Sequence, residues 1–134
     1  MLLVALILAA SGVSVALRYR RSGPWEVPDS AKAMRNPVPP TPEGIAAAAA
    51  IYSDRCTRCH GDHGDGDGPD AKMYKPQPAS LAVAMHSGEH PMTDGEIFWK
   101  ITEGRQPMPS FKKQLTDEQR WELVNFLRTL DQPR

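Results

Sequence analysis

The chain has 134 residues with 16 basic and 16 acidic side chains, so its formal net charge is zero. That length suits one domain of ordinary size. The balanced charge gives no electrostatic reason to expect a nucleic-acid partner, because such proteins usually concentrate positive charge against phosphates. The two cysteines are Cys56 and Cys59. A bridge between them would close a small, strained loop, so the pair indicates a site and excludes a disulfide framework.

The first 17 residues carry no charged side chain, and a basic cluster follows at residues 18–21. A helix of this length spans about 26 Å, at the short end of what crosses a membrane. We therefore expect residues 1–20 to form a transmembrane anchor. A secretory signal removed after export is the alternative, since Ser14 and Ala16 provide a small-residue cleavage site.

Prolines dominate the next stretch, with five of them between residues 24 and 40. Proline fixes φ and removes a backbone donor, so this stretch is neither a long helix nor a central strand. We predict an extended, proline-rich tether over residues 21–41, able to reach on the order of 60 Å. Its apolar side chains pack either on the chain's own domain or on a partner: Trp25, Val27, Met34 and Val38.

Three helices are predicted in the remaining domain, residues 42–134. Each begins after a threonine N-cap: Thr41, Thr93 and Thr116. The second and third threonines open capping boxes, with Glu or Gln three residues on, and Gly104 is a natural stop for the second helix. The last helix repeats apolar side chains at helical spacing: Trp121, Val124, Leu127 and Leu130. No alternating strand pattern appears, so the expected class is all-α.

Cys56, Cys59 and His60 form a C-x-x-C-H motif, the attachment pattern of c-type haem. Two thiols at this spacing can add to the two vinyl groups of one haem, and the imidazole then reaches the iron. A redox dithiol and a zinc site completed by His63 are the alternatives. A redox C-x-x-C usually opens a helix after a strand, the reverse of the order here. Four zinc ligands so close in sequence would make a cramped tetrahedron.

A second axial ligand is expected far along the chain. Met108 lies between Pro107 and Pro109, ahead of the last helix. Because the prolines stiffen this loop, we predict Met108 as the second ligand, with Met92 as the runner-up. The other methionines are predicted to pack in the core or at the haem edge, and two histidines to lie at the surface: Met73, Met85, His86 and His90.

These features together resemble the class I cytochrome c family over residues 42–132. The likeness rests on five stretches of sequence, residues 52–61, 66–69, 94–104, 108–111 and 121–130. It implies a cytochrome c fold, with three main helices around one covalent haem c. It also implies that the first and last helices cross where Tyr52 meets Phe126. The haem would be held by four residues: Cys56, Cys59, His60 and Met108.

The resemblance implies an electron-transfer protein and not an enzyme, with Trp99 or Arg105 as candidate donors to the haem propionates. The layout is similar to membrane-tethered cytochrome subunits of bacterial respiratory complexes, which implies redox protein partners or a larger membrane complex. A haem peroxidase or gas-binding protein with a labile sixth ligand is one alternative, and a structural subunit is another. Covalent haem attachment implies a periplasmic domain, although the basic cluster at residues 18–21 favours the cytoplasmic side.

Overall fold

The computed structural model describes residues 25–86 and 90–130, so the predicted anchor lies outside the described residues. The helices are α1 (Asp29–Lys32), α2 (Pro42–Arg55), α3 (Thr57–His60), α4 (Leu81–His86), α5 (Asp94–Glu103) and α6 (Asp117–Arg128), with a 3₁₀ turn at Ala71–Met73. Within these two ranges, β pairing is limited to one isolated bridge between Arg105 and Met108. The predicted all-α class is therefore confirmed there. No helix in the described part is long and apolar enough to cross a membrane.

The three predicted helix starts are confirmed. Thr41 caps α2, because its hydroxyl accepts from the Gly44 amide at 3.1 Å, and Pro42 takes the first helical position. At α5, Thr93 and Glu96 accept hydrogen bonds from each other's backbone amides at 3.2 and 2.8 Å. The same reciprocal pair opens α6 at Thr116, so both boxes satisfy amides that a helix start leaves unpaired.

The core forms where α2 packs on α6 and α6 packs on α5. Tyr52 and Phe126 meet with ring centroids 5.2 Å apart, which confirms the predicted crossing. On the other side of α6, Trp121 stacks on Phe98 of α5 at 3.9 Å, with 10° between the ring planes. These aromatic contacts bury the apolar stripes of α5 and α6 and set the space left between the helices.

Residues 25–38, which we call the N-terminal segment, lie against α5 and α6. Val27 and Ala31 are buried, and Val38 packs against the core. Met34 differs, since 41% of it is exposed. Packing on the chain's own domain therefore describes most of this segment, whereas the domain boundary at residue 41 stays a prediction.

Two side chains differ from expectation. Met73, predicted to pack in the core or at the haem edge, is 75% exposed, because Ala71 takes the inward position of the 3₁₀ turn. His86, predicted to lie at the surface, is half-buried because α4 packs its Met85 face into the core. Met85 is almost fully buried and His90 is exposed, as predicted.

Candidate functional site

A cavity of 410 Å³ lies between the helices, within the range of about 300–1,000 Å³ usual for cofactor sites. Its walls come from the α2–α3 junction, from α4 to α6 and from the loops after α3 and α5, and most lining side chains are apolar. All four predicted site residues line it: Cys56, Cys59, His60 and Met108. Met85 and Met92 line it as well. The fold thus brings the motif and the distant methionine to one cavity.

The backbone between α2 and α3 presents the motif as one compact turn. The Cys56 amide still donates to Tyr52 O at 2.9 Å, as part of the α2 ladder. Cys56 O then accepts from the amides of Cys59 at 3.1 Å and His60 at 2.8 Å, which starts the short helix α3. This overlap of two helical turns places all three side chains at the end of one helix and against one cavity.

The loop after the motif packs directly on α3. A Cβ at Gly68 would lie 2.3 Å from Thr57 O and 2.4 Å from Arg58 O, so only glycine allows this approach. Tyr52, buried in the α2–α6 crossing, donates its hydroxyl to Gly61 O at 2.8 Å. Both contacts hold the motif and its loop in a fixed orientation. This explains why Tyr52, Gly61 and Gly68 are among the residues that resemble the family.

The two thiols are not joined to each other. Burial raises the pKa of Cys56 to about 12, and the neighbouring Cys59 adds to the shift. Burial also raises the pKa of Cys59. Both thiols therefore stay protonated at neutral pH in the protein chain by itself, whereas a redox dithiol needs a lowered pKa. In the described part of the chain, no three acidic, histidine or cysteine side chains are grouped to hold a metal ion.

The His60 imidazole suits a metal ligand. Burial lowers its pKa, with the backbone of Ala79 acting in the opposite direction, so the neutral ring is favoured. The neutral ring is the form that binds metals. Nδ1 is buried and has no hydrogen-bond partner of ordinary geometry among the described residues. A buried ring nitrogen without a hydrogen-bond partner lowers the stability of the fold, so its presence here points to a functional role for the imidazole.

Met108 is held by the backbone of its own loop. Its amide donates to Arg105 O at 2.9 Å, which closes a tight turn after α5. Beyond it, Ser110 donates its hydroxyl to Thr102 O at 2.6 Å, and the Phe111 amide donates to Ile101 O at 3.1 Å. The loop is thereby fixed to the end of α5, with the Met108 side chain lining the cavity.

Met92 lines the same cavity in a different setting. Its Sδ accepts a hydrogen bond from Lys100 Nζ at 2.9 Å. Because a thioether sulfur is only a weak acceptor, pairing with an ammonium group withdraws the electron density that a metal would need. The geometry therefore favours Met108 over Met92 as a ligand.

Three further residues complete one wall of the cavity. Trp25, Lys100 and Arg105 all line it. The Trp25 ring lies 5.5 Å from Lys100 Nζ and 5.2 Å from Arg105 Cζ, and it meets Trp99 edge-on at 6.5 Å. Arg105 is one of the two predicted propionate donors, and Trp25 is predicted to pack on the domain or on a partner, with no place in the site. Because this contact joins distant parts of the sequence, no local pattern could have indicated it.

Comparison with known proteins gives two similarities. The family model described as cytochrome c oxidase, cbb3-type, subunit III matches residues 43–127, more than half of the chain. A chain in the solved structure of a reducing HAO-like protein complex of Kuenenia stuttgartiensis is similar, with 31% sequence identity and a TM-score of 0.61. That match covers 72% of this chain and 47% of the other, so this chain spans about half the length of that relative. No curated protein matches.

Proposed function

This chain belongs to the cytochrome c family, in the group described as subunit III of cbb3-type cytochrome c oxidase, and we propose that it carries single electrons on one covalent haem c. A cytochrome c domain is an electron-transfer module and not an enzyme by itself. The observation that carries the proposal for this site is the convergence of Cys56, Cys59, His60 and Met108 on one apolar cavity.

The residues present fit a c-type haem. Cys56 and Cys59 would hold it by thioether bonds, with each thiol adding across one vinyl group of the haem. His60 and Met108 would hold the iron as its two axial ligands. When bound, the haem supplies an iron centre that gains and loses one electron. A chain with a single pair of cysteines has thiols for one such attachment.

The chain's own residues would set the properties of that centre. Met108 as the second ligand raises the reduction potential relative to two nitrogen ligands and leaves no open position for a small molecule. The buried apolar side chains of Ile97, Ile101 and Leu127 line the cavity and exclude water. Excluding water disfavours the more highly charged oxidised centre, which also raises the potential.

The charged groups of the haem would meet the polar part of the wall. Lys100 and Arg105 line the cavity side by side with Trp25, and the haem propionates are carboxylates. Charge-assisted pairing with these two cations would orient the haem and offset the cost of burying its carboxylates.

The alternative of a haem peroxidase or gas-binding protein needs a labile sixth ligand. The loop that carries Met108 is fixed at Thr102 and Ile101 by hydrogen bonds, so the geometry favours a closed position. Carbon monoxide distinguishes the two functions. Binding to the reduced native protein would support the alternative, and no spectral change would support an electron carrier.

Partners and location extend the proposal. We propose that residues 1–20 anchor the protein in a membrane, with the haem domain in the periplasm and redox proteins of a larger membrane complex as partners. The apolar N-terminus supports the anchor, and the similarity to a chain of the Kuenenia stuttgartiensis complex supports protein partners. Membrane fractionation of cells that express the full chain or residues 21–134 tests the anchor. Release of the shorter protein alone is expected, and release of both would contradict it.

The haem assignment is tested by reduced-minus-oxidised absorption spectra of the purified full chain, before and after denaturation. Haem that stays on the denatured polypeptide is expected for the wild type and should be lost in Cys56→Ser with Cys59→Ser. In the oxidised native protein, the weak far-red band of a thioether–iron bond should disappear in Met108→Ala and persist in the matched variant Met92→Ala. A colourless wild-type protein would overturn the haem assignment. A far-red band that is lost only in Met92→Ala would overturn Met108 as the ligand.

A further inference from the structure

The N-terminal segment, residues 25–38, precedes the part of the chain that matches the family model, yet it is built into the domain. A Cβ at Gly95 would lie 2.0 Å from Ala31 O, so α1 packs directly on the backbone of α5. Thr93 Oγ1 donates to Lys32 O at 2.9 Å. Together with buried Val27, these contacts hold the segment along α5.

Trp25 lies at the start of the described part of this segment and reaches the cavity wall. Its ring packs edge-on against Trp99, with Lys100 and Arg105 within 5.5 Å of the ring centroid. Such cation–π contacts are stronger when water is excluded. The ring is therefore placed by the contacts that also place the two cations of the wall.

We propose that Trp25 is a positioning residue of the cofactor site, supplied by the N-terminal segment. It covers the part of the cavity that Lys100 and Arg105 line and keeps both cations at its wall. This inference rests on the proposed haem function. The inference extends that function, because it adds to the cofactor site a wall that comes from outside the region matched by the family model.

The reduction potential is the property that this role would change. Removing the ring admits water to the cavity, and water stabilises the more highly charged oxidised centre. The same change removes the ring that packs against Lys100 and Arg105, so water screens both cations and weakens their stabilisation of the reduced centre. Both effects have the same sign, so the potential falls when Trp25 is truncated. A purely structural role would lower stability without moving the potential.

The test is spectroelectrochemical titration of the full-length haem-loaded protein. Trp25→Ala is expected to lower the midpoint potential, with haem content and the far-red band unchanged. Trp25→Phe keeps a ring and should retain most of the wild-type potential. Met34→Ala is the matched control, since this exposed side chain lies in the same segment but away from the cavity wall.

A second variant, Gly95→Ala, disturbs the same wall of the cavity without changing Trp25. Gly95→Ala pushes α1 away from α5 while leaving Trp25 intact, so it should lower the potential in the same direction. The double variant with Trp25→Ala should have nearly the same potential as Trp25→Ala alone, because both substitutions disturb the same wall of the cavity. An unchanged potential in haem-loaded Trp25→Ala and Gly95→Ala would overturn the inference and leave the haem assignment standing. If Trp25→Ala fails to load haem, Trp25→Phe and Gly95→Ala decide, whereas a colourless wild type removes the haem function itself.

Discussion

Asn36 and Asn125 join the N-terminal segment to α6 through a side-chain hydrogen bond of 2.8 Å, from Nδ2 of Asn36 to Oδ1 of Asn125. The contact is reciprocated, because Nδ2 of Asn125 donates to Val38 O at 3.0 Å. Oδ1 of Asn36 also accepts from the Val38 amide at 2.9 Å. Two of these three hydrogen bonds join the segment to α6 and the third lies within the segment, so the segment is fixed to the folded domain.

Asn125→Ala should therefore destabilise the protein. The change removes both bonds to the segment and leaves the Val38 carbonyl and part of the Asn36 amide without partners. A loss of about 1–3 kcal/mol in the free energy of unfolding is expected, measured by urea titration. Gln114→Ala, which removes an exposed hydrogen bond to Arg55, should change it by less than about 0.5 kcal/mol. Equal effects of the two variants would contradict the role of the pair.

Two glycines near helix starts should respond differently to alanine. At Gly95 the new Cβ would meet backbone oxygens of Ala31 at 2.0 Å and Met34 at 2.9 Å, which cannot move without shifting α1. Overpacking of this kind costs about 1–3 kcal/mol. At Gly44 the nearest atom, 3.0 Å away, is the flexible carboxylate end of Glu122.

Urea unfolding and limited proteolysis distinguish the two glycines. Gly95→Ala should lower the free energy of unfolding and expose residues 25–38 to cleavage. Gly44→Ala should stay within about 1 kcal/mol of the wild type, because the higher helix propensity of alanine offsets the closer contact. Similar protease resistance in both variants would show that the segment does not depend on the Gly95 approach.

Tyr52 gives a pH dependence of stability. Burial raises the pKa of its phenol, and the negative charges near it add to the shift. The unfolded chain, with an ordinary tyrosine pKa of about 10, releases this proton first as the pH rises. The folded state then binds one more proton than the unfolded state, so its stability falls above about pH 10.

Tyr52→Phe removes both the ionisation and the hydrogen bond to Gly61 O. At pH 7 the variant should be less stable by about 1 kcal/mol, the usual net value of one hydrogen bond. Above pH 10 the difference should shrink, because only the wild type still loses stability through this group. Urea titrations of both proteins at pH 7 and pH 11 test this, and a constant difference would contradict the raised pKa.

Arg128 connects α6 to two parts of the cavity wall. Its guanidinium donates to Met85 O at 3.1 Å and to Met92 O at 2.7 Å, and it pairs with Asp94 at 2.8 Å. Lysine keeps the charge but cannot serve three acceptors in this planar arrangement. Arg128→Lys should therefore lower the free energy of unfolding by about 1–3 kcal/mol.

The control for Arg128→Lys is the same substitution at an exposed pair. Arg58 bonds Asp70 at 2.8 Å, with 74% of the Arg58 side chain exposed, so Arg58→Lys should change stability by less than about 0.5 kcal/mol. Thermal unfolding of both variants measures the contrast. If the two substitutions cost the same, the three-way contact of Arg128 does not contribute to the cavity wall.

The helix starts, the all-α class and the C-x-x-C-H motif could be predicted from the sequence because each depends on residues a few positions apart. A threonine caps the amides of its own first turn, and the motif presents two thiols and an imidazole from one short turn. The Tyr52–Phe126 crossing could be predicted only through the family likeness. Met73 was placed wrongly, because a buried and an exposed methionine look alike without a strong periodic pattern around them.

The amino-acid sequence by itself determined where the helices begin, that the cysteine pair serves a site, and which methionine sits in a proline-stiffened loop. Local geometry and hydrogen bonding set these features. The tertiary structure alone decided that Met108 reaches the motif's cavity, that Lys100 engages the sulfur of Met92, and that Trp25 forms part of the wall. Such contacts join positions far apart in the chain, and they exist only once helix packing has brought those positions together.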